Sequence, residues 1–251
     1  MKILAITQAR VGSTRLPGKV LKTIGGRTLL EIHLSRILQA KLLNKLKVAT
    51  TIESEAGEIV AVANRLGVDS FRGSVDDVLE RFYFTALPEK PDYVVRLTSD
   101  CPLIDPFEID KVVEACVKGN YDYVSDTLEP TLPDGIDVEV FKFSSLEKAY
   151  KEAVLKSDRE HVTPYIWRNS SIKGGTMFKS LSIKNKDDFS KYRLTVDTQE
   201  DFILIGKLIN ELGSEKGWRD YVDYLEKNPE MLNINSKYKR NEGYQKSLRE
   251  D

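Results

Sequence analysis

Short apolar segments alternate with capped, amphipathic helical stretches through the first half of the chain, and this alternation restricts the fold more than any other feature. Residues 2–9 (KILAITQA) read as a buried strand, as do 46–51, 68–71, 93–98 and 121–125. Between the first two, residues 28–40 carry Leu29, Leu30, Leu34, Ile37 and Leu38 at helical spacing, the period of 3.6 that separates a helix from a strand. Thr28 with Glu31 reads as a capping box that fixes the start of this helix. Further helices are predicted over 55–66, stopped by Gly67, over 107–117, and from a Ser74–Asp77 cap to just before Pro88. Strands alternating with helices imply an α/β fold, a mostly parallel central sheet with helices on both faces. In such a sheet ligands bind outside the carboxyl ends of the strands.

The pattern loosens after Ser125. Residues 127–135 hold two prolines and an Asp-Gly step and read as a loop. A strand is expected at 136–141, a helix at 144–155 with a Ser144–Glu147 cap, another at 159–169, a strand at 177–183, and a helix at 199–212 closed by Gly213. From Glu230 onward the chain turns polar. The expected division is one α/β domain over 1–229, with an excursion around 126–183, and a peripheral C-terminal tail at 230–251. A hydrophobic content of 41% is enough for a single large core. The net charge of -1 offers nothing global to draw nucleic acid, and the cluster Lys237, Lys239 and Arg240 reads as solvated surface. Cys101 and Cys116 form no CxxC pair and no zinc site. No segment approaches the roughly 18 apolar residues of a membrane span, and no signal peptide opens the chain, so the expected location is the cytoplasm.

The loop after the first strand carries the chemistry: Gln8-Ala9-Arg10-Val11-Gly12-Ser13-Thr14-Arg15-Leu16-Pro17-Gly18-Lys19. It is neither GxxxxGK[ST] nor GxGxxG. Even so, three long cations, Arg10, Arg15 and Lys19, stand among glycines and small residues, where backbone amides can face an anion. Arginine grips two phosphate oxygens with a fixed fork, and lysine supplies a mobile point charge.

ARVGSTRLPGK resembles the N-terminal signature of the cytidylyltransferases that activate acidic sugars, the acylneuraminate and 3-deoxy-manno-octulosonate enzymes, and most of all the spore-coat polysaccharide biosynthesis branch. The likeness continues in order through GSVDDVLERF (73–82), VVRLTSDCPLIDP (94–106), DGIDVEVF (134–141), EHVTPYI (160–166) and RLTVDTQEDF (193–202). It implies a nucleotide-diphospho-sugar transferase (GT-A-like) fold and transfer of CMP from CTP to a hydroxyl of an acidic sugar, with pyrophosphate released and Mg²⁺ as cofactor. It also implies a role in surface polysaccharide precursor synthesis and a homodimer, with the irregular 157–183 region as an exchanged arm.

Asp100 and Asp197 each stand just past an apparent strand, where two carboxylates can hold Mg²⁺ together with phosphate oxygens and water. The resemblance matches both to the family's metal-binding aspartates; the alternative is that they cap the helices that follow. The resemblance assigns Arg15, Lys19 and Arg10 to the triphosphate. Ala9, the Gly12–Ser13 amides and the Gly73–Ser74 loop are candidate contacts to the nucleotide. Asp134, Asp137 and Glu139 form a third acidic group, and Asp137 and Glu139 share one face of a strand. They, with Arg96, Glu160 and His161, are candidates for the acceptor side. Each has a structural alternative: a core ion pair for Arg96, Asp137 and Glu139, and packing or capping for His161. His33, inside an amphipathic helix, reads as structural, and Cys101 as packing, since nothing beside it would activate a nucleophile. A glycosyltransferase of similar fold would show a DxD-like motif where this chain has Ser99-Asp100-Cys101. A non-enzymatic nucleotide binder would have lost one of the loop cations or aspartates, and none is missing. A nucleotidyltransferase using another triphosphate would keep the same loop.

Overall fold

The computed structural model describes residues 1–251. The chain opens with β1 (Ile3–Gln8), then a small hairpin of β2 (Thr23–Ile24) and β3 (Arg27–Thr28), α1 (Leu29–Ile37), β4 (Lys45–Thr51), α2 (Ala56–Arg65), β5 (Asp69–Gly73) and α3 (Val78–Ala86). It continues with β6 (Tyr93–Thr98), α4 (Pro106–Lys118), β7 (Tyr123–Ser125), β8 (Glu139–Lys142), α5 (Phe143–Glu152), α6 (Lys156–His161), α7 (Pro164–Arg168) and β9 (Ser180–Ser182). Three helices complete it: α8 (Gln199–Leu212), α9 (Trp218–Lys227) and α10 (Glu242–Ser247). No helix is long and apolar enough to cross a membrane.

One seven-stranded sheet runs β5-β4-β1-β6-β8-β7-β9. All neighbours pair in parallel except at β8, which is antiparallel to both β6 and β7. The sheet is mostly parallel, as the alternation predicts. Side chains alternate across it. Ile3 and Ala5 of β1 face α1, α2 and α4, whereas Leu4 and Ile6 face α3 and α5. A further cluster packs α8 and α9 against Leu29, Leu103 and Ile136. The chain builds outward from β1 through β4 to β5, then returns to place β6 on the other side of β1. The crevice beyond the carboxyl ends of β1 and β6 is therefore the switch point where α/β sheets bind ligands.

Local chemistry sets several boundaries. Asp105 caps α4 by accepting from Phe107 N–H at 2.9 Å, with Pro106 at the first helical position. Thr198 and Asp201 close a reciprocal capping box on α8. Thr28 accepts from Glu31 N–H at 3.1 Å as expected, but Glu31 turns toward Arg27 and Arg65. Asp77, not Ser74, caps α3, accepting from Glu80 N–H at 2.8 Å.

Other expectations change as well. The Ser144–Glu147 cap does not form, because α5 already begins at Phe143, directly after β8. The helix expected over 159–169 is two short ones, broken at Val162 with φ of 71° and restarted by Pro164, which suits a first helical position. The segment at 194–197 is extended but lies outside the sheet. It hangs by single bonds, Val196 N–H to Asp100 carbonyl at 2.7 Å and Leu194 N–H to Asp134 carbonyl at 2.6 Å. Residues 230–251 are not a loose tail. Asn235 is buried and donates to Asp201 at 2.9 Å, Arg240 reaches Asp137, and α10 packs on α6.

Candidate active site

A cavity of about 520 Å³ opens at the switch point. Its floor is the Lys19 ammonium, 3.0 Å from Asp100 Oδ2 and 2.8 Å from Asp197 Oδ1. Lys19 opens a short 3-10 segment into which Gly18, with φ of 65°, turns the loop. Burial works against its charge, but Asp100 and Asp197 outweigh it and hold its pKa above the ordinary lysine value. Burial would likewise raise Asp100, yet Lys19 and the Thr98 hydroxyl hold it below the usual carboxylate range. Since Asp105 caps α4 and Thr198 caps α8, neither Asp100 nor Asp197 is spent on a helix end.

Asp197 is gripped from three sides. Arg15 Nη2 lies 2.9 Å from Oδ1, beside Lys19, and Arg193 Nη2 lies 3.1 Å from Oδ2. Arg193 also donates to Asp134 at 2.5 Å and to Asp201 at 2.9 and 3.0 Å. Sequence reasoning missed this hub. The trace it left is the spacing of Arg193, Asp197 and Asp201 at intervals of four within 193–202; only Asp134 comes from a separate place in the chain. Burial opposes the Arg193 charge, but Asp201, Asp134 and Asp197 raise its pKa.

The acceptor-side candidates line the same cavity. Arg96 on β6 pairs with Glu139, its cross-strand neighbour on β8. Glu139 also accepts from Tyr123 Oη at 2.6 Å and Thr163 Oγ1 at 2.7 Å. Asp137 is held by Arg240, which the sequence places on the solvated surface and which is instead half-buried, donating to the Leu132 carbonyl. Burial and then Asp137 push Asp134 up to about 7. His161 donates to or accepts from Ser247 Oγ at 2.9 Å, and Glu160 accepts from the same hydroxyl at 2.7 Å. Burial, then Arg96, lowers the His161 pKa to about 4, so the imidazole is neutral near pH 7. Tyr244 of α10 stands edge-on to it, 5.2 Å between centroids, and closes the cavity there.

Ala9, Arg10, Ser13, Arg15 and Lys19 all reach the cavity wall, whereas Gly12, Gly73 and Ser74 do not. β5 lies at the sheet edge, two strands away from β1. The Ser74 hydroxyl is occupied by Asp77 N–H and its carbonyl by Arg81. His33 is buried between Thr7 Oγ1 and the Cys101 carbonyl, 2.8 Å from each, and is structural as expected. Cys101 is buried, and burial raises its thiol pKa well above the ordinary value, which fits packing rather than nucleophilic attack.

No third His, Cys, Asp or Glu joins Asp100 and Asp197 in a metal-binding group. Mg²⁺ commonly binds through one or two carboxylates and completes its shell with phosphate oxygens and water. The donor set therefore fits an ion that arrives with a nucleotide, not a resident all-protein cage.

A family model described as cytidylyltransferase matches residues 4–238. An uncharacterized protein of Methanocaldococcus jannaschii is 44% identical over 253 residues, covering 100% of this chain and 99% of that one. The spore coat polysaccharide biosynthesis protein SpsF of Bacillus subtilis is 31% identical, covering 91% and 95%. Among solved structures, a cytidylyltransferase from Leptospira borgpetersenii superposes with a TM-score of 0.86 at 36% identity, over 92% of this chain and 97% of that one. The sheet order, the strand-end cavity and a family match along nearly the whole length agree: the chain belongs to the cytidylyltransferase family and is a nucleotidyl-transferring enzyme.

Proposed function

We propose that this enzyme transfers CMP from CTP to a hydroxyl of an acidic sugar or related acceptor, in the synthesis of surface polysaccharide precursors. The observation that carries the reading is the Lys19 ammonium held between Asp100 and Asp197 at the carboxyl ends of β1 and β6. It puts a cation and two carboxylates at one point, the arrangement that phosphoryl chemistry uses for positioning and charge stabilisation. In this reading the acceptor hydroxyl oxygen bonds to the α-phosphorus and gives up its proton to solvent, the bond from phosphorus to the bridging oxygen breaks, and pyrophosphate leaves. Lys19 and Arg15 offset the charge that gathers on it, and Arg10 steadies the same anion. Asp100 and Asp197 would hold Mg²⁺, which when bound neutralises phosphate charge and polarises the phosphoryl centre.

The acceptor's acid group is assigned to Arg96. Its Nη1 is fixed by Glu139, while its Nε is buried without a partner, and a buried unpaired donor is costly unless a ligand completes it. Neutral His161, Glu160, Asp137 and Glu139 shape the rest of that wall. The two buried, unpaired cysteines suit a reducing, cytoplasmic compartment. A homodimer remains part of the proposal on the family resemblance.

The test is pyrophosphate release from each nucleoside triphosphate with Mg²⁺ and a panel of sugar acids, with CTP binding measured on the same sample. Acceptor-dependent release with CTP alone supports the reading and identifies the acceptor. Folded protein that binds no CTP in the presence of Mg²⁺ refutes it.

A further inference from the structure

The ion pairs at the cavity floor leave its positive charge unevenly spent. Lys19 is shared by Asp100 and Asp197, Arg15 by Asp197 and Glu242, and Arg193 by three carboxylates. None of these pairs involves Arg10 or Arg81. Arg10 projects into the cavity from the loop after β1, and Arg81 reaches the same cavity from α3.

Arg81 is 2% exposed, among the most buried large side chains of the protein. Its one hydrogen bond runs from Nη1 to the Ser74 carbonyl at 2.8 Å. Its Nε is buried with no partner. Asp77 and Glu53 act on it only from a distance, and both are committed elsewhere. Asp77 caps α3 and pairs with Arg159 at 2.6 Å, and Glu53 accepts from Thr51 Oγ1 at 3.0 Å. Burial and the neighbouring Arg10 charge push the Arg81 pKa down to about 10. A guanidinium without a carboxylate, close to another guanidinium and lining a cavity, is unfavourable until an anion joins it.

We propose that Arg81, with Arg10, grips the phosphates of the nucleotide at a contact separate from the Lys19 centre. The inference rests on the nucleotide-binding reading above and adds a residue to it. The fixed fork of Arg81 suits two phosphate oxygens. Its bond to the Ser74 carbonyl also couples that contact to the loop between β5 and α3, giving Gly73 and Ser74 an indirect link to the nucleotide although they do not line the cavity.

The test compares the whole wild-type chain with Arg81→Met and Arg81→Lys. CTP, cytidine and inorganic triphosphate are each titrated with Mg²⁺ present, and thermal unfolding is followed with and without CTP. Arg81→Met should weaken CTP and inorganic triphosphate roughly tenfold to a hundredfold, the size of a lost charge-assisted bond, while cytidine affinity stays unchanged. Unfolding without nucleotide should occur at the same temperature as in wild type or higher, because an unpaired buried charge has gone, and the added stability from CTP should shrink. Arg81→Lys should recover part of the affinity. A lower unfolding temperature with unchanged CTP affinity would overturn the proposal and make Arg81 a brace for the 73–77 loop. Equal weakening of CTP and cytidine would also overturn it. Wild-type protein that ignores CTP but takes inorganic triphosphate, with that binding lost in Arg81→Met, would leave Arg81 standing and remove the cytidine reading; wild-type protein that binds neither would remove both.

Discussion

Replacing Arg193 by methionine keeps an unbranched apolar stem and removes the cation that joins Asp134, Asp197 and Asp201. Breaking a buried pair costs about 3–5 kcal/mol, because the surviving partner is left charged and unpaired. Three partners would argue for the top of that range, but two features lower it. Asp134 is pushed up to about 7 by burial and by Asp137, so its charge is only partly present at neutral pH. Asp197 keeps Arg15 and Lys19. Asp201 decides the result: it is fully buried, and although Thr198 and Asn235 still donate to it, Arg193 is its only cation. The expected loss is about 3–4 kcal/mol, a large share of the roughly 5–15 kcal/mol that holds a typical protein folded. At about 2–4 °C per kcal/mol for a chain of this size, the unfolding midpoint should fall by roughly 6–16 °C. Urea denaturation at pH 7 measures the free energy, and Arg219→Met is the control. Arg219 pairs with Asp223 at 2.6 Å, but both side chains are nearly half exposed, so that change should cost less than about 1 kcal/mol. If the two variants lost the same stability, the account of Arg193 as a buried hub would be wrong.

Other changes test the site and its frame. Lys19→Met should lower kcat for nucleotidyl transfer by about 10²–10³, the usual loss when one preorganised charge is removed from a reacting centre; a change confined to KM would contradict the place proposed for it at the pyrophosphate. Far from the cavity, Glu89 is held down to about 2, from an ordinary 4.5, by Lys45, Lys2 and Lys47. A depressed carboxylate contributes stability above its unfolded pKa and loses it as pH falls through the folded one. Glu89→Gln should therefore cost about 1–2 kcal/mol at pH 7 after allowing for the part-exposed lysines, and the difference from wild type should vanish as pH falls from 4.5 toward 2; denaturant midpoints across that range would show it. Gly135 has φ of 106°, and a Cβ there would sit 2.6 Å from the Leu194 carbonyl carbon and the Thr195 nitrogen. Gly135→Ala should cost about 2–3 kcal/mol by overpacking and lower activity with it, because it displaces the segment that carries Arg193 and Asp197; unchanged kinetics would show that the segment adapts freely.

The parts of the fold with strong periodicity were legible. β1, β4, β6, α1, α2, α4 and α8 fall where apolar spacing puts them, since each buries a continuous stripe or a whole strand. The sequence also marked the loop cations and the two strand-end aspartates. It could not show that Asp100 and Asp197 meet, because Lys19 joins them from a third place in the chain. α9 went unread, although Tyr221, Val222 and Leu225 give it a buried face. Residues 230–251 are too polar to announce a core, and what holds them is tertiary: Asn235 on Asp201, Arg240 on Asp137, Ser247 between Glu160 and His161. The Ser144–Glu147 pattern misled because a cap motif reads the same at a helix start and within its first turn. Arg81 lay inside a quoted motif without drawing notice, since sequence does not reveal that an arginine lacks a partner.

The antiparallel strand β8 has a consequence for how the chain finds its register. It must insert between β6 and β7, bonding to both at once. A slip by one residue would turn every side chain of β8 to the opposite face, bringing Val140 to the position of Glu139. Glu139 makes that error conspicuous. In the native register it lies opposite Arg96 on β6 and Ser125 on β7, and its two carboxylate oxygens are satisfied by Arg96, Tyr123 and Thr163. After a slip, the half-buried Arg96 would face a valine and the carboxylate would enter an apolar layer, the latter a penalty of several kcal/mol by the desolvation rule. The wall assigned here to the acceptor thus serves also as a proofreading mark for the sheet. Substitutions that loosen Glu139 in search of a new acceptor would erode the accuracy of strand pairing along with substrate choice.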